Sequence, residues 1–431
     1  MKIYHNSKFV FWILIFILFI TPVEKVHCEE RTLQYIENEI RISPRHNSFY
    51  RSNPQNLYFT VHHPSTAIDS IYFDKKSIKY SRYNFTNFSV DNKTLKLPFT
   101  SVIKINEAIF AAMDEGGHIL EIKFGNGDVE KAEIDVNNHQ PEDYKMEIIS
   151  FNVSHGDAVF INLPDRNILI DTGPENMTKK RVIPFLKKYG VKTIDYVIIT
   201  HWHYDHYSGL DHIENAFEIG EVWYNLSAQG KAESGHDHYQ EFKVGNEIKI
   251  GQALIKIFNA AHFDTVKYPA YRSKYFEKWT GKNNRSLSFN LQFNGFKYSH
   301  GGDIYQHPQK AILKTFGEQT VKAHVYHGNH HFHGGLSTNY LKKVNPYLFI
   351  TPAEAAVYNR SAYVEQVMGE VVPYLEANSN RFIENLLDFE VGHIIIRVND
   401  STDWKYETCY ENYWVSDSLL NNSQPATGIN H

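Results

Sequence analysis

The stretch THWHYDHYSGL, residues 200–210, sets His201, His203, Asp205 and His206 within six positions, directly after the apolar run YVIIT. Such a run, bounded by polar residues, reads as a buried strand. In extended or tightly turned backbone just after it, His201 and His203 can point toward one cation. Asp205 and His206 follow on the turn into the next helix and would face a neighbouring position. Neutral imidazole and carboxylate suit zinc and similar divalent ions, and the mixture of His with Asp accommodates two adjacent ions. The competing reading is a solvated loop in a chain with 24 histidines. The buried-strand context and the H-x-H-x-D-H spacing favour the metal site.

A site of this kind needs a scaffold that holds strand ends together, and the surrounding sequence supplies one. From residue 144 to about 410, MEIISFNVS, AVFINLP, NILIDTG and TIDYVIIT read as strands. KKRVIPFLKKYG reads as an amphipathic helix ending at Gly190. Beyond the His-rich motif come EVWYNL, NEIKI, ALIKIFNA, SFNLQFN and FKYSHGGD, then a helical HPQKAILKTFG, the strand KAHVYH, and the pair NYLKKV and PYLFIT. Strands with interleaved helices predict an α/β layered domain. Residues 31–143 are different: NLYFTVHH, SIYF, TLKL, HILEIKFG and EKAEIDV are separated by DKK, DNK, EGG and GNGD turn signals, the pattern of a small all-β sandwich. The polar stretch NNHQPEDY marks a linker. With 431 residues, 42% of them hydrophobic, the chain can bury two ordinary cores.

The N-terminus reads as an export signal over residues 1–28. Lys2 and Lys8 precede the apolar run FVFWILIFILFI, twelve residues long and ended by Thr21-Pro22, with cleavage expected before Glu29. A permanent membrane span needs about 20 apolar residues, so none is expected. A secreted or cell-surface location follows. Cleavage after Cys28 would leave only Cys409, which excludes an internal disulfide and a thiolate metal site. The formal charge of −5 weakly disfavours nonspecific nucleic-acid binding. Sequons recur, for instance at Asn84, Asn87, Asn92, Asn225 and Asn359, and residues 411–431 read as a tail.

These motifs resemble those of the metallo-β-lactamase superfamily. DTG at Asp171–Gly173 resembles its first motif, in which the Asp supports the ligand loop. His201, His203, Asp205 and His206 match the second. ALIKIFNAAHFD resembles the third and implies His262 as the remaining ligand of the first ion, and GGD implies Asp303 as the carboxylate shared by both ions. YHGNHHFHGG offers His327, His330, His331 and His333 for the last ligand. Within the superfamily the chain is most similar to the branch of competence DNA-uptake proteins and secreted phosphorylcholine esterases. NVSHGD, NNRSLSFNLQF and VYHGNHH stand where that branch has V-G-Q-G-D, N-x-x-S and a paired His motif. That alignment implies His330 on the second ion, His331 toward the substrate, and Asp157 as a supporting residue. His155, Ser208 and Phe332-His333 depart from the branch pattern. The N-terminal module resembles bacterial immunoglobulin-like domains.

The resemblance implies a four-layer αββα fold behind an immunoglobulin-like sandwich. It also implies two divalent ions, zinc or manganese, that make hydroxide available near neutral pH for attack on a phosphoester. Asp205 and His331 are the implied catalytic residues, the latter donating a hydrogen bond or proton to the substrate. A phosphodiesterase acting on an extracellular or cell-surface phosphoester is the favoured reading. The alternatives are an extracellular nuclease, a β-lactamase- or lactonase-type hydrolase, and a non-catalytic surface binding protein. His236 and His238 form another H-x-H, read as a surface loop, while Trp202 and Tyr204 either wall the pocket or pack beneath the loop.

Overall fold

The computed structural model describes residues 41–43, 46–50, 57–63, 68–85, 88–90, 93–95, 99–138, 143–225, 242–271, 283–332, 335–352, 374, 381–384 and 393–409. The export segment, Cys28, Asn87, Asn92, His236, His238, His333, Asn359 and the 411–431 tail lie outside them. Among the described residues no helix is long and apolar enough to cross a membrane.

The N-terminal unit is all-β. One sheet runs in the order Arg41–Ser43, Leu57–His63, Phe99–Ile105, Ser81–Phe85; the other runs His46–Tyr50, Val129–Asn137, Gly116–Phe124, Ile68–Phe73, Lys76–Ser77. Strict alternation explains the packing: in Gly116–Phe124, Leu120, Ile122 and Phe124 are buried while the residues between them are not. They share one core with Leu57, Phe59, Val61 and Ile103 of the other sheet. All pairings are antiparallel except His46–Tyr50 on Val129–Asn137, which is parallel. The immunoglobulin-like kinship of this unit remains a sequence resemblance.

The second unit holds two seven-stranded sheets. The first is ordered Glu218–Tyr224, Thr193–Ile199, Asn167–Ile170, Val159–Asn162, Met146–Ser150, His393–Val398, Trp404–Cys409. The second is ordered Glu247–Ile250, Ala253–Asn259, Ser288–Phe293, Phe296–His300, Val325–His327, Leu348–Thr351, Arg381–Glu384. The strands are hydrophobic on both faces because both faces are covered. Ile148, Ile161, Ile168, Ile170 and Ile198 pack between the sheets against Phe289, Leu291 and Tyr298. Their neighbours Ile149, Phe160, Leu169, Val197 and Ile199 face outward onto Val182, Phe185, Leu186, Leu210 and Ile213 of the helices. On the opposite side, Ala311, Ile312, Tyr340, Leu341 and Val344 of helices Gln306–Phe316 and Thr338–Val344 cover the second sheet. The result is a mixed α/β fold in four layers, helix, sheet, sheet, helix.

The helical stretch from Glu175 to Lys188 widens to π geometry over Thr178–Val182, just ahead of Pro184. Proline has no amide hydrogen to close the ordinary helical bond there. Gly190, with φ 91°, ends the helix as the sequence predicts, its amide donating to Lys187 O at 3.1 Å while that of Val191 reaches Leu186 O at 3.0 Å.

In the N-terminal unit His118 Nδ1 lies 2.6 Å from Asp74 Oδ2, and the Ile119 amide donates to Asp74 Oδ1 at 2.9 Å. Burial alone would lower the His118 pKa, but Asp74 and the Asp114 carbonyl outweigh it and raise it; burial would likewise raise Asp74, and His118 with the Ile119 amide holds it low. A raised His pKa stabilises below the unfolded value of 6.5 and fades as pH climbs through the folded one. A lowered Asp pKa stabilises above 3.8 and fades as pH falls through the folded one. His118→Ala should therefore cost most between these limits, and no more than about 1 kcal/mol because Asp74 is largely solvated. Thermal unfolding from pH 3 to 9 should show the two proteins converging at both ends.

Candidate metal centre

The centre forms where the ends of the first sheet's strands meet the turns leaving the second. Asp171 ends the strand Asn167–Ile170 in left-handed backbone, φ 55°, and its buried carboxylate joins three groups. Oδ1 accepts from the Thr200 amide at 2.7 Å, and Oδ2 accepts from the Thr200 hydroxyl at 2.6 Å and lies 2.7 Å from His206 Nδ1. The Thr172 amide and hydroxyl donate to His206 O at 2.7 and 3.0 Å. The DTG turn thus fastens the H-x-H-x-D-H loop at both ends.

Two further loops close around it. Asp303 follows Gly301-Gly302, and a Cβ on Gly302 would stand 2.4 Å from Ser286 Oγ and 2.5 Å from Leu287 O; only glycine lets this turn pass so close. The Asp303 amide donates to Ser286 Oγ at 3.1 Å. His330 and His331 sit in left-handed backbone, φ 48° and 46°, which sends consecutive side chains into the centre from one turn.

The donors fall into two adjoining groups that share Asp303. In the first, His201 Nε2 lies 3.0 Å from His203 Nδ1 and 3.2 Å from Asp303 Oδ2. In the second, His206 Nε2 lies 3.3 Å from Asp303 Oδ1 and 3.2 Å from His331 Nε2, and Asp205 Oδ2 lies 3.4 Å from His331 Nε2. His201, His203 and Asp303 form one set of mutually close donors, and His206, Asp303 and His331 form another, with Asp205 reached through His331. These separations are close to the roughly 3.3 Å between two ligands of a tetrahedral ion held at about 2.05 Å.

Hydrogen bonds orient the rings. His206 gives its Nδ1 proton to Asp171, and His331 gives its Nδ1 proton to Pro352 O at 2.7 Å, so both turn Nε2 inward. Two imidazole lone pairs 3.2 Å apart repel unless a cation or a proton stands between them. Asp303 Oδ1, buried beside them, accepts no hydrogen bond among the described residues. Burial would lower His206 and His331, yet the surrounding carboxylates, Asp303 foremost, raise His206 well above its ordinary range and His331 to about 9. In return His206 and His331 hold Asp205 and Asp303 low against the upward pull of burial. The centre attracts positive charge, and its nitrogen and oxygen donors fit divalent ions.

His201, His203, Asp205, His206 and Asp303 converge as the sequence alignment implies. The alignment implies His330 on the second ion, but the geometry brings His331 into that donor group. His331 joins the second group, whereas His330 Nε2 stands 3.9 Å from Asp303 Oδ2 and accepts from Asn283 Nδ2 at 3.0 Å. His262 belongs to none of the donor groups. Its backbone bridges to Lys243, and its carbonyl accepts from the Val244 amide at 3.2 Å, which ties this stretch to a neighbouring segment. His327 lies deeper, 2.9 Å from Asp157 Oδ1, with His300 stacked on it at 4.8 Å. Asp157 is fully buried; His327, His331 and His206 keep it charged against the effect of burial. Trp202 is packing rather than pocket wall: it stacks on Tyr207 at 4.1 Å and 3°, while Tyr204 is 58% exposed. Asn225, one of the sequon residues, is buried, and its amide donates to Thr200 O and Arg285 O at 2.7 Å.

Sequence reasoning missed the partners His300 for His327 and Asn283 for His330, since each pair is distant in sequence. It noted His155 only as a departure from a pattern, yet His155 Nε2 lies 3.4 Å from Asp205 Oδ2. Burial lowers the His155 pKa to about 3.

Two outcomes test the geometry. Asp171→Ala should weaken binding of one ion by about 10–100-fold in a calorimetric titration, the usual effect of losing the group that orients a ligand. His331→Ala should remove one high-affinity ion, whereas His330→Ala should leave the stoichiometry at two; the reverse result would restore the alignment's assignment.

Residues 152–341, somewhat under half of the chain, match the family model described as the metallo-beta-lactamase superfamily. ComE operon protein 3 of Bacillus subtilis is 23% identical over 221 residues, 46% of this chain and 27% of the relative. Beta-lactamase-like protein 2 homolog of Caenorhabditis elegans is 26% identical over 117 residues, 26% of this chain and 36% of the relative. The chain therefore spans about a quarter to a third of these relatives' lengths. Among solved structures, the metallo-beta-lactamase fold protein YhfI from Bacillus subtilis aligns over 57% of this chain and 98% of its own, with 9% identity and a TM-score of 0.38. A diphosphatase of the PhnP family aligns over 48% and 85%, with 12% identity and a TM-score of 0.31. By the matched segment, the paired sheets that frame it and the donors that converge at their ends, residues 152–341 are similar to the metallo-beta-lactamase superfamily.

Proposed function

We propose that the chain is an exported hydrolase that uses two divalent metal ions to cleave a phosphodiester, on an extracellular or cell-surface substrate. The observation that carries the metal-dependent hydrolase reading is the buried Asp303 carboxylate shared between two donor groups. Bound ions would supply charge neutralisation for a phosphoryl group and a water acidified toward neutral pH. His201 and His203 would hold one ion, Asp205, His206 and His331 the other, and Asp303 both.

The rest of the work falls to the protein. Asp171 keeps His206 in the tautomer that presents Nε2, and Pro352 O does the same for His331. The substrate-facing role that the alignment gave to His331 would then fall to His330, whose Nε2 accepts from Asn283 Nδ2. His330 would contact a phosphoryl oxygen or the leaving group. The phosphodiester preference rests on the N-x-x-S and paired-His motifs of the sequence, and the charge of −5 weighs mildly against a nucleic-acid substrate. Export rests on the short apolar run behind Lys2 and Lys8.

Purified chain should hydrolyse bis-p-nitrophenyl phosphate or p-nitrophenyl phosphorylcholine, lose the activity to a chelator, and regain it with Zn2+ or Mn2+. Asp303→Ala should lower turnover by more than the roughly 10–100-fold of an orienting residue. Turnover of nitrocefin alone would move the reading to C–N hydrolysis, and a protein that binds no metal would refute it. For export, mass spectrometry of protein from the culture medium should find a chain that begins at Glu29.

A further inference from the structure

We propose that His155 is an additional protein donor at the second metal position, which then has five donors among the described residues where the first has three. The inference rests on the dinuclear reading above and deepens it.

Three residues, His155, Asp205 and His331, each offer one ligand atom within a set mutually closer than 4.8 Å. His155 Nε2 lies 3.4 Å from Asp205 Oδ2, and its ring centroid is 4.6 Å from that of His331. A direct bond between imidazolium and carboxylate closes to about 2.7–2.9 Å. A separation of 3.4 Å is instead near the roughly 3.3 Å between two ligands of one small ion.

The backbone leaves His155 little choice of place. Ser154 and Gly156 have φ of 69° and 134°, and the Asp157 amide donates to Asp205 O at 3.2 Å. A Cβ on Gly156 would meet Asp205 O at 2.2 Å. The loop is therefore clamped, main chain to main chain, onto the turn that carries Asp205. From this clamp Asp157 points inward beneath His206 and His331, 4.0 and 3.9 Å from their Nδ1 atoms. His155 closes the other side, with its side chain 31% exposed at the mouth.

Among the described residues, the first position has His201, His203 and Asp303; with His155 the second has Asp205, His206, Asp303, His331 and His155. Five nitrogen and oxygen donors suit an ion that accepts five or six ligands and hold it more firmly than three. The second position then fills first and resists exchange. The first keeps more coordination room for solvent or a substrate oxygen.

Calorimetric titration of the metal-free full chain with Zn2+, and visible absorption on titration with Co2+, read this directly. The parent should take up two ions, one more tightly. His155→Ala and His155→Asn should weaken the tighter step by about 10–100-fold, alter the absorption of the first Co2+ equivalent, and leave the weaker step unchanged. If both variants retain the parent's two steps and spectrum, His155 only bonds Asp205 and the inference is wrong. Three ions in the parent would also overturn it, in favour of a separate site. A parent that binds no ion would sink the dinuclear reading itself.

Discussion

The buried carboxylate of Asp171 is the joint on which the centre hangs. It binds the Thr200 backbone and hydroxyl at the start of the His-rich loop and His206 at its end, so one side chain sets both the path of the loop and the direction of a ligand. Burial raises the Asp171 pKa despite the pull of His206. Removing it would leave a buried amide, a hydroxyl and an imidazole without their acceptor, each costing about 1–3 kcal/mol.

Around that joint the fold solves a charge problem. Asp157, Asp171 and Asp303 are all buried within reach of His201, His206, His327 and His331. Charges so concentrated in low dielectric persist only when paired, hydrogen-bonded or bound to a metal. The inner carboxylates have protein partners: Asp171 has Thr200 and His206, and Asp157 has His327. The outer donors face one another instead, as His206 does His331, so a cation or a proton has to stand between them. The paired sheets make this possible, because strands covered on both faces end in turns rigid enough to hold the donors in register.

Much of this was legible in the sequence. YVIIT followed by H-x-H-x-D-H set a strand, a turn and four donors in one local run, and the apolar runs before and after it marked the strands of both sheets. The distant donor Asp303 was implied by the resemblance of GGD to a family motif, and the structure supplies the reason for the glycine, since a Cβ on Gly302 would collide with Ser286 and Leu287. That His331 rather than His330 joins the second donor group was not legible. Adjacent histidines look alike in sequence, and which one faces the second group depends on two successive left-handed residues and on Pro352 O, supplied by a segment 21 residues on. Nor was the place of His262, which follows its backbone bridge to Lys243.

Local spacing alone determined the donor types, the strand that presents them and the two-sided burial of the scaffold, since these follow from side-chain chemistry and a periodicity of a few residues. Tertiary structure decided which nitrogen of each ring points inward, which of two neighbouring histidines joins the centre, and that His155 closes over Asp205. Each of those outcomes depends on a hydrogen bond, ion pair or steric limit between residues 21 or more positions apart, as with His331 and Pro352, His206 and Asp171, or Gly156 and Asp205. Chain closure over such distances is fixed by the packing of the two sheets, and no short run of sequence encodes it.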